Sequence, residues 1–184
     1  LWLRSESSEP YNSYGNGAAM RVSPAGLLAK TESEVIDVAY RVTEVTHNHP
    51  EGLKGAAATA SAIFLARHGF SQMAIGKYIS ERFGYDLTRT PDEIRPTYRF
   101  NESCQETVPQ ALTCVLAATD FEDAIRTAIS IGGDSDTIGA IAGSVAEALF
   151  GIPEEIARQG WSYLPEDMQR VLTDLYARAG IRNP

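Results

Sequence analysis

The sequence has little cysteine and no long apolar run. Two of its 184 residues are cysteines, Cys104 and Cys114. Two cysteines are too few for a disulfide framework, and their spacing fits no zinc-binding pattern. The apolar stretches are too short to span a bilayer, and Leu1 to Arg4 show no signal-peptide pattern. A soluble protein in a reducing cytoplasm is therefore expected.

The sequence also has fewer basic than acidic residues. Lysine and arginine total 16 against 24 aspartates and glutamates, so the formal net charge is −8. A surface this acidic repels phosphate, which argues against non-specific binding to nucleic acid or to anionic membranes. The hydrophobic share of 43% is enough for a buried core. The length suits one compact domain, so residues 1–184 are predicted to form a single domain.

Strand-like alternation of polar and apolar residues is missing as well, whereas helical periodicity recurs. Thr31 and Glu34 form a capping-box pattern, and either Thr119 or Asp120 is expected to cap a later helix. Pro109 suits the first turn of another helix. The predicted helices cover about 32–46, 54–67, 71–83, 109–118, 120–131, 137–150 and 165–179, with a long polar connection over 85–106. The prediction is an all-α fold.

The strongest chemical signal is the run Gly132-Gly133-Asp134-Ser135-Asp136-Thr137. Carboxylate and hydroxyl oxygens are hard ligands, suited to Mg²⁺, Mn²⁺ or Ca²⁺ rather than to zinc. A second interpretation is that Ser135 or Asp136 caps a helix that begins at Thr137. The spacing alone leaves both interpretations open.

Two weaker signals lie in the first third of the chain. The glycines of the run Ser13 to Arg21 suit a tight turn whose backbone N–H groups hold a phosphate, although an ordinary loop has the same composition. His47 and His49 follow a predicted helix. A histidine there can donate to a phosphate or ribose oxygen, or it can simply face water at the helix end.

Taken in order, five segments strongly resemble the ADP-ribosylglycohydrolase family, the relatives of dinitrogenase-reductase-activating glycohydrolase. They are Ser-Tyr-Gly-Asn-Gly-Ala-Ala-Met-Arg at 13–21, Thr-His-Asn-His-Pro-Glu-Gly at 46–52, Ser-Cys-Gln at 103–105, Val-Pro-Gln-Ala at 108–111 and Gly-Gly-Asp-Ser-Asp-Thr at 132–137. Each segment alone is a weak signal, but five in matching order and spacing are specific.

The resemblance implies a compact all-α fold whose cleft holds a pair of divalent ions, Mg²⁺ or alternatively Mn²⁺. It implies hydrolysis of the glycosidic bond that joins ADP-ribose to an arginine or serine of a protein, or to a small conjugate. The implied metal ligands are Asp134, Asp136 and Thr137. The implied ADP-ribose-binding residues are Ser13, Tyr14, Gly15, Asn16, Gly17, Met20, His47, Cys104 and Gln105. No residue is assigned as the catalytic acid or base.

One family segment has no counterpart. The family's N-terminal Thr-Asp-Asp-Thr motif supplies further metal ligands, but here Thr119-Asp120 is followed by Phe121, and Thr173-Asp174 by Leu175. The expectation is that the chain is the C-terminal part of a longer domain, with half of a metal shell that a second chain is able to complete. The alternative is a catalytically inactive descendant that binds ADP-ribose or a nucleotide, or serves a structural role.

Overall fold

A computed structural model describes residues 9–181, and within that range the protein is helical. The helices are α1 (Gly17–Met20), α2 (Ser23–Leu28), α3 (Glu32–Thr43), α4 (Pro50–Arg67), α5 (Gln72–Phe83), α6 (Pro91–Ile94), α7 (Cys104–Ala117), α8 (Phe121–Ser130), α9 (Ser135–Phe150), α10 (Glu154–Ser162) and α11 (Glu166–Ala179). The extended pairing in these residues is one isolated antiparallel bridge, between Gly15 and Ser103. The all-α prediction is confirmed.

Helix α4 is the centre of the fold. It packs against α1, α2, α3, α5, α7 and α9, and every residue from Gly55 to Ala66 is buried. Most of these side chains are small, so neighbouring helices approach closely. At Gly26 of α2, an added Cβ would lie 2.6 Å from the carbonyl oxygen of Ala60. The alanine-rich sequence of α4 therefore makes it a hub for six helices.

A second set of helices covers the other side of that hub. Helices α7, α8 and α9 pack against one another, and α7 and α9 also contact α4. Helices α10 and α11 are peripheral, with Tyr176 as the buried residue of α11 and none in α10. No helix within residues 9–181 combines the length and apolar character needed to cross a bilayer.

The predicted helices over 71–83 and 120–131 correspond to α5 and α8. Ser71 accepts a hydrogen bond from the N–H of Ala74 and begins α5, and Gly84, with φ of +71°, ends it. Asp120, not Thr119, caps α8. Thr31 caps α3, but the Glu34 carboxylate accepts from the N–H of Lys30 rather than completing the box at Thr31.

Other predicted boundaries were wrong. Pro109 lies inside α7, which begins five residues earlier. Proline at that position costs the Gln105 carbonyl its helical donor, and burial of the α7 face outweighs the loss. The helix predicted over 32–46 ends at Thr43, and the next begins at Pro50. Helices α1, α2, α6 and α10 were missed because three are one or two turns long and α10 has little apolar sequence.

Candidate functional site

The segment of residues 13–17, called the glycine loop below, leads directly into α1. The Ser13 hydroxyl accepts from the N–H of Gly15 at 3.1 Å, and the N–H of Asn16 donates to the carbonyl of Glu102 at 2.6 Å. These two N–H groups are satisfied within the protein. The glycine loop therefore differs from the predicted turn in which successive N–H groups all point at a phosphate.

Helix α7 contacts the glycine loop through its first residue, Cys104. The N–H of Cys104 donates to the Tyr14 carbonyl at 2.9 Å, and its thiol donates to the Gly15 carbonyl at 3.2 Å. Cys104 is completely buried against Gly55 of α4, and burial raises the pKa of its thiol to about 12. The Cys104 side chain thus stabilises the glycine loop from the protein interior. Its contact with a ligand stays a prediction.

Gln105 faces another part of the surface. Its side chain lines a cavity of about 360 Å³ together with Lys54 and Tyr85. The predicted contact of Gln105 with ADP-ribose has no support from this placement. Tyr14, by contrast, is exposed on the loop. Its ring is edge-on to that of His49, with 5.2 Å between the ring centroids.

His47 lies over the two glycines of the loop. A Cβ at Gly15 would be 3.6 Å from its Nε2 atom, and one at Gly17 would be 3.3 Å from it. The other ring nitrogen, Nδ1, is hydrogen-bonded to the Thr46 hydroxyl at 2.7 Å. His47 is 7% exposed, and because the glycines carry no side chain, its Nε2 atom lies close to the backbone of the loop. The contact of His47 with a ligand stays a prediction.

The positively charged side chain of Arg21 lies at the same cavity as His47. The Arg21 guanidinium donates to the Gly17 carbonyl at 2.8 Å, and it lines a cavity of about 280 Å³ with Gly17, Thr46 and His47. Burial and, to a smaller degree, the Arg21 charge lower the pKa of His47. A neutral imidazole and a guanidinium at the same cavity suit an anionic group such as a phosphate.

This environment predicts a pH dependence of stability. The unfolded chain protonates His47 near its ordinary pKa of about 6.5, and the folded protein does so at lower pH. The unfolded state therefore binds the extra proton first, and the free energy of unfolding falls as the pH drops below about 6.5. NMR titration of the imidazole C–H signals should show the lowered pKa, and Arg21→Ala should raise it. Arg126→Ala, which removes an exposed arginine of α8, is the control and should leave it unchanged.

The second segment of the site comprises residues 132–137 and is called the Asp loop below. Gly132 and Gly133 both have positive φ, +77° and +73°, so the chain turns sharply before α9 begins at Ser135. Ser135 and Asp136 lie inside the first turn of α9, so the interpretation that either is its N-cap is wrong. Asp134 occupies the cap position but makes no capping hydrogen bond there.

The Asp134 carboxylate bonds instead across the fold to the glycine loop. Its Oδ2 atom accepts from the side-chain amide of Asn16 at 2.6 Å, and both residues are buried. Nearby, the Thr137 hydroxyl lies 3.7 Å from the Met20 sulfur at the end of α1. Two segments separated by more than a hundred residues therefore meet in the fold.

The oxygen atoms of the Asp loop fit a hard divalent cation. Asp136 is exposed, and a side-chain hydrogen bond shared with Asp134, together with hydrogen bonds from the N–H groups of Asp136 and Thr137, lowers its pKa. Its carboxylate is therefore charged at neutral pH. Within residues 9–181, however, no cluster of three or more histidine, cysteine, aspartate or glutamate side chains is placed to hold a metal. The donors present fit the predicted ion, but they make only part of a ligand shell.

Two residues that complete the site were not predicted. Thr107 of α7 is fully buried, and its hydroxyl accepts from the Asn16 amide at 3.1 Å. The Tyr98 ring packs against Gly133, where an added Cβ would be 2.4 Å from it. A signal for Thr107 does exist in the sequence, because a polar residue there interrupts the apolar face formed by Cys104, Val108 and Ala111.

Comparison with known proteins agrees with this architecture. Residues 2–183 match the family model described as ADP-ribosylglycohydrolase. ADP-ribosylarginine hydrolase Tri1 of Pseudomonas putida is 24% identical over 97% of this chain and 51% of its own length. ADP-ribosylhydrolase ARH3 of Homo sapiens is 26% identical over 91% of this chain and 57% of its own. The chain thus spans about half the length of the curated relatives that it matches.

A solved structure shows the same fold. A chain of an ADP-ribosylglycohydrolase-related protein complex superposes with a TM-score of 0.69 and 21% identity, over 97% of this chain and 63% of that one. The match of the family model over nearly the whole sequence decides the assignment: this chain belongs to the ADP-ribosylglycohydrolase family.

Proposed function

We propose that this chain carries part of the active site of a metal-dependent hydrolase that releases ADP-ribose from a protein side chain or a small conjugate. The observation that carries the proposal is the 2.6 Å hydrogen bond between Asn16 and Asp134. It joins the glycine loop, beside which His47 and Arg21 suit an anionic ligand, to a loop of hard oxygen donors. A bound ADP-ribose conjugate needs both at one place, for its diphosphate and for its ribose.

Each group has a definite part in this proposal. The His47 Nε2 atom and the Arg21 guanidinium hold the diphosphate above Gly15 and Gly17. Asp134, Asp136 and Thr137 would hold Mg²⁺, or alternatively Mn²⁺. When bound, such an ion would supply a ligand site for ribose hydroxyls and would lower the pKa of a bound water, which favours attack of that water at the anomeric carbon. The aspartates are proposed as ligands, and neither is assigned as the general base.

The names of the relatives support the reaction class. Tri1 is named for ADP-ribosylarginine and ARH3 for ADP-ribose alone, so arginine, serine and small conjugates all stay candidates for the group that carries ADP-ribose. A pair of ions and a cytoplasmic location likewise stay predictions. A complete shell for two ions needs oxygens beyond the three residues of the Asp loop, from substrate, water or further polypeptide.

A second candidate function is binding without hydrolysis. It is favoured by the partial ligand shell, because the described residues bring two carboxylates and one hydroxyl to the Asp loop. A protein of this kind would bind ADP-ribose in the presence of EDTA and release none from a conjugate.

Metal removal separates the two candidates. Release of free ADP-ribose from ADP-ribosylarginine and ADP-ribosylserine peptides is measured with the protein at its full natural length, in Mg²⁺ and in EDTA. We expect release in Mg²⁺ that EDTA abolishes and that added Mg²⁺ restores. Calorimetric binding of ADP-ribose with no release would support the binding function instead, and neither binding nor release would contradict both.

A further inference from the structure

The Asn16 amide stands between three hydrogen-bond acceptors. Its Nδ2 atom lies 2.6 Å from Asp134 Oδ2, 3.1 Å from the Thr107 hydroxyl oxygen and 3.4 Å from the carbonyl oxygen of Asn101. Carbonyl and carboxylate oxygens only accept hydrogen bonds. The NH₂ end of the amide, not its oxygen, must therefore face this cluster.

The Thr107 hydroxyl has one arrangement that satisfies its neighbours. It donates its single proton to the Asn101 carbonyl at 3.1 Å, so it is left as an acceptor for Asn16. One N–H of the amide then goes to Thr107, and the other goes to Asp134. Donation therefore starts at the Asn16 amide, which gives one N–H to Asp134 and the other to Thr107, and Thr107 in turn donates to the Asn101 carbonyl.

The chain of hydrogen bonds is also shielded from water. Thr107 has no exposed surface, and Asn16 is 6% exposed. Water is therefore unable to replace a lost partner cheaply, and an unsatisfied N–H in this place costs free energy. The NH₂ end of the Asn16 amide is thus committed to Asp134 and Thr107.

We infer that Thr107 is a positioning residue for Asp134, acting through the Asn16 side-chain amide. The inference rests on the proposed function in one respect, which is that Asp134 serves as a metal ligand. Thr107 comes from α7, which contributes no predicted metal ligand. Helix α7 thereby sets the direction of a carboxylate at the start of α9. Asn16, which the family resemblance implies as an ADP-ribose contact, has the further role of holding that carboxylate.

The test compares Thr107→Val, which keeps the shape and removes the hydroxyl, with Thr107→Ser, which keeps the hydroxyl. Thr113→Val is the matched control, because Thr113 is a buried threonine of the same helix. It lines the cavity that Gln105 and Tyr85 also line, away from Asn16 and Asp134. The first measurement is NMR of the Asn16 side-chain amide in metal-free protein. We expect slow hydrogen exchange in the wild type, in Thr107→Ser and in Thr113→Val, with a coupling across the hydrogen bond to the Asp134 carboxyl carbon. Thr107→Val should exchange faster and lose the coupling.

The second measurement is Mn²⁺ affinity by electron paramagnetic resonance. Outer-shell partners of a metal change its affinity by about 10- to 100-fold, so Thr107→Val should bind Mn²⁺ about 10-fold more weakly, and Thr107→Ser should restore the affinity. An unchanged Asn16 amide in Thr107→Val would overturn the inference whatever the metal does. If the amide responds and no variant or wild type binds Mn²⁺, positioning of Asp134 stands and the proposed function fails.

Discussion

Replacing Asp134 with asparagine is expected to reduce metal-dependent release of ADP-ribose by more than about 100-fold, since even outer-shell partners of a metal ion cost about 10- to 100-fold. The substitution keeps an oxygen that can accept from Asn16, so the link between the glycine loop and the Asp loop is preserved. What it removes is the negative charge at a buried position. The result therefore reports on metal binding rather than on folding.

Asp134→Ala adds a structural loss to that chemical one. It leaves the Asn16 N–H without its acceptor in a buried place, which costs about 1–3 kcal/mol of stability. Comparing the two variants by urea denaturation and by release of ADP-ribose separates ligation from support of the loop. Asp174→Asn, at an exposed carboxylate of α11, is the control for a lost charge. Full release by Asp134→Asn would exclude Asp134 as a metal ligand.

How far the sequence predicts this structure depends on the range of the interaction. Helix ends depend on neighbours in sequence, so the predicted helices over 71–83 and 120–131 lie within one residue of α5 and α8, and Asp120, one of the two predicted caps, serves as the cap of α8. Helix α10 was missed because its start, at Pro153, has no capping side chain and its residues are mostly polar. Pro109 was misplaced because burial along α7 overrides its local preference for a first turn.

The same distinction between local and long-range interactions applies to the candidate site. The Asp loop and the glycine loop were recognised as segments, because their glycines and carboxylates are adjacent in sequence. Their meeting through Asn16 and Asp134, 118 positions apart, depends on the packing of α1, α7 and α9. The roles of individual side chains follow from that packing. Composition alone does not show that Cys104 faces the core or that Gln105 lines another cavity.

The second large effect is expected at Gly133, where alanine should destabilise the fold by about 2–4 kcal/mol. Its φ of +73° is a backbone conformation that costs a residue with a Cβ about 1 kcal/mol. The added Cβ would also lie 2.4 Å from the ring of Tyr98 and 3.2 Å from the Arg99 carbonyl oxygen. Overpacking of this kind costs a further 1–3 kcal/mol or so.

Gly132 provides the matched control, because it shares the backbone conformation and lacks the obstruction. Its φ is +77°, and a Cβ there would meet nothing within 4 Å, so Gly132→Ala should cost only about 1 kcal/mol. The difference in urea midpoint between the two variants measures the steric part alone. Equal destabilisation would show that the Tyr98 ring moves aside at no cost, and Tyr98 would then have no part in fixing the Asp loop. If Gly133→Ala also weakens Mn²⁺ binding and Gly132→Ala does not, the wall formed by Tyr98 sets the position of the carboxylates as well as the stability of the turn.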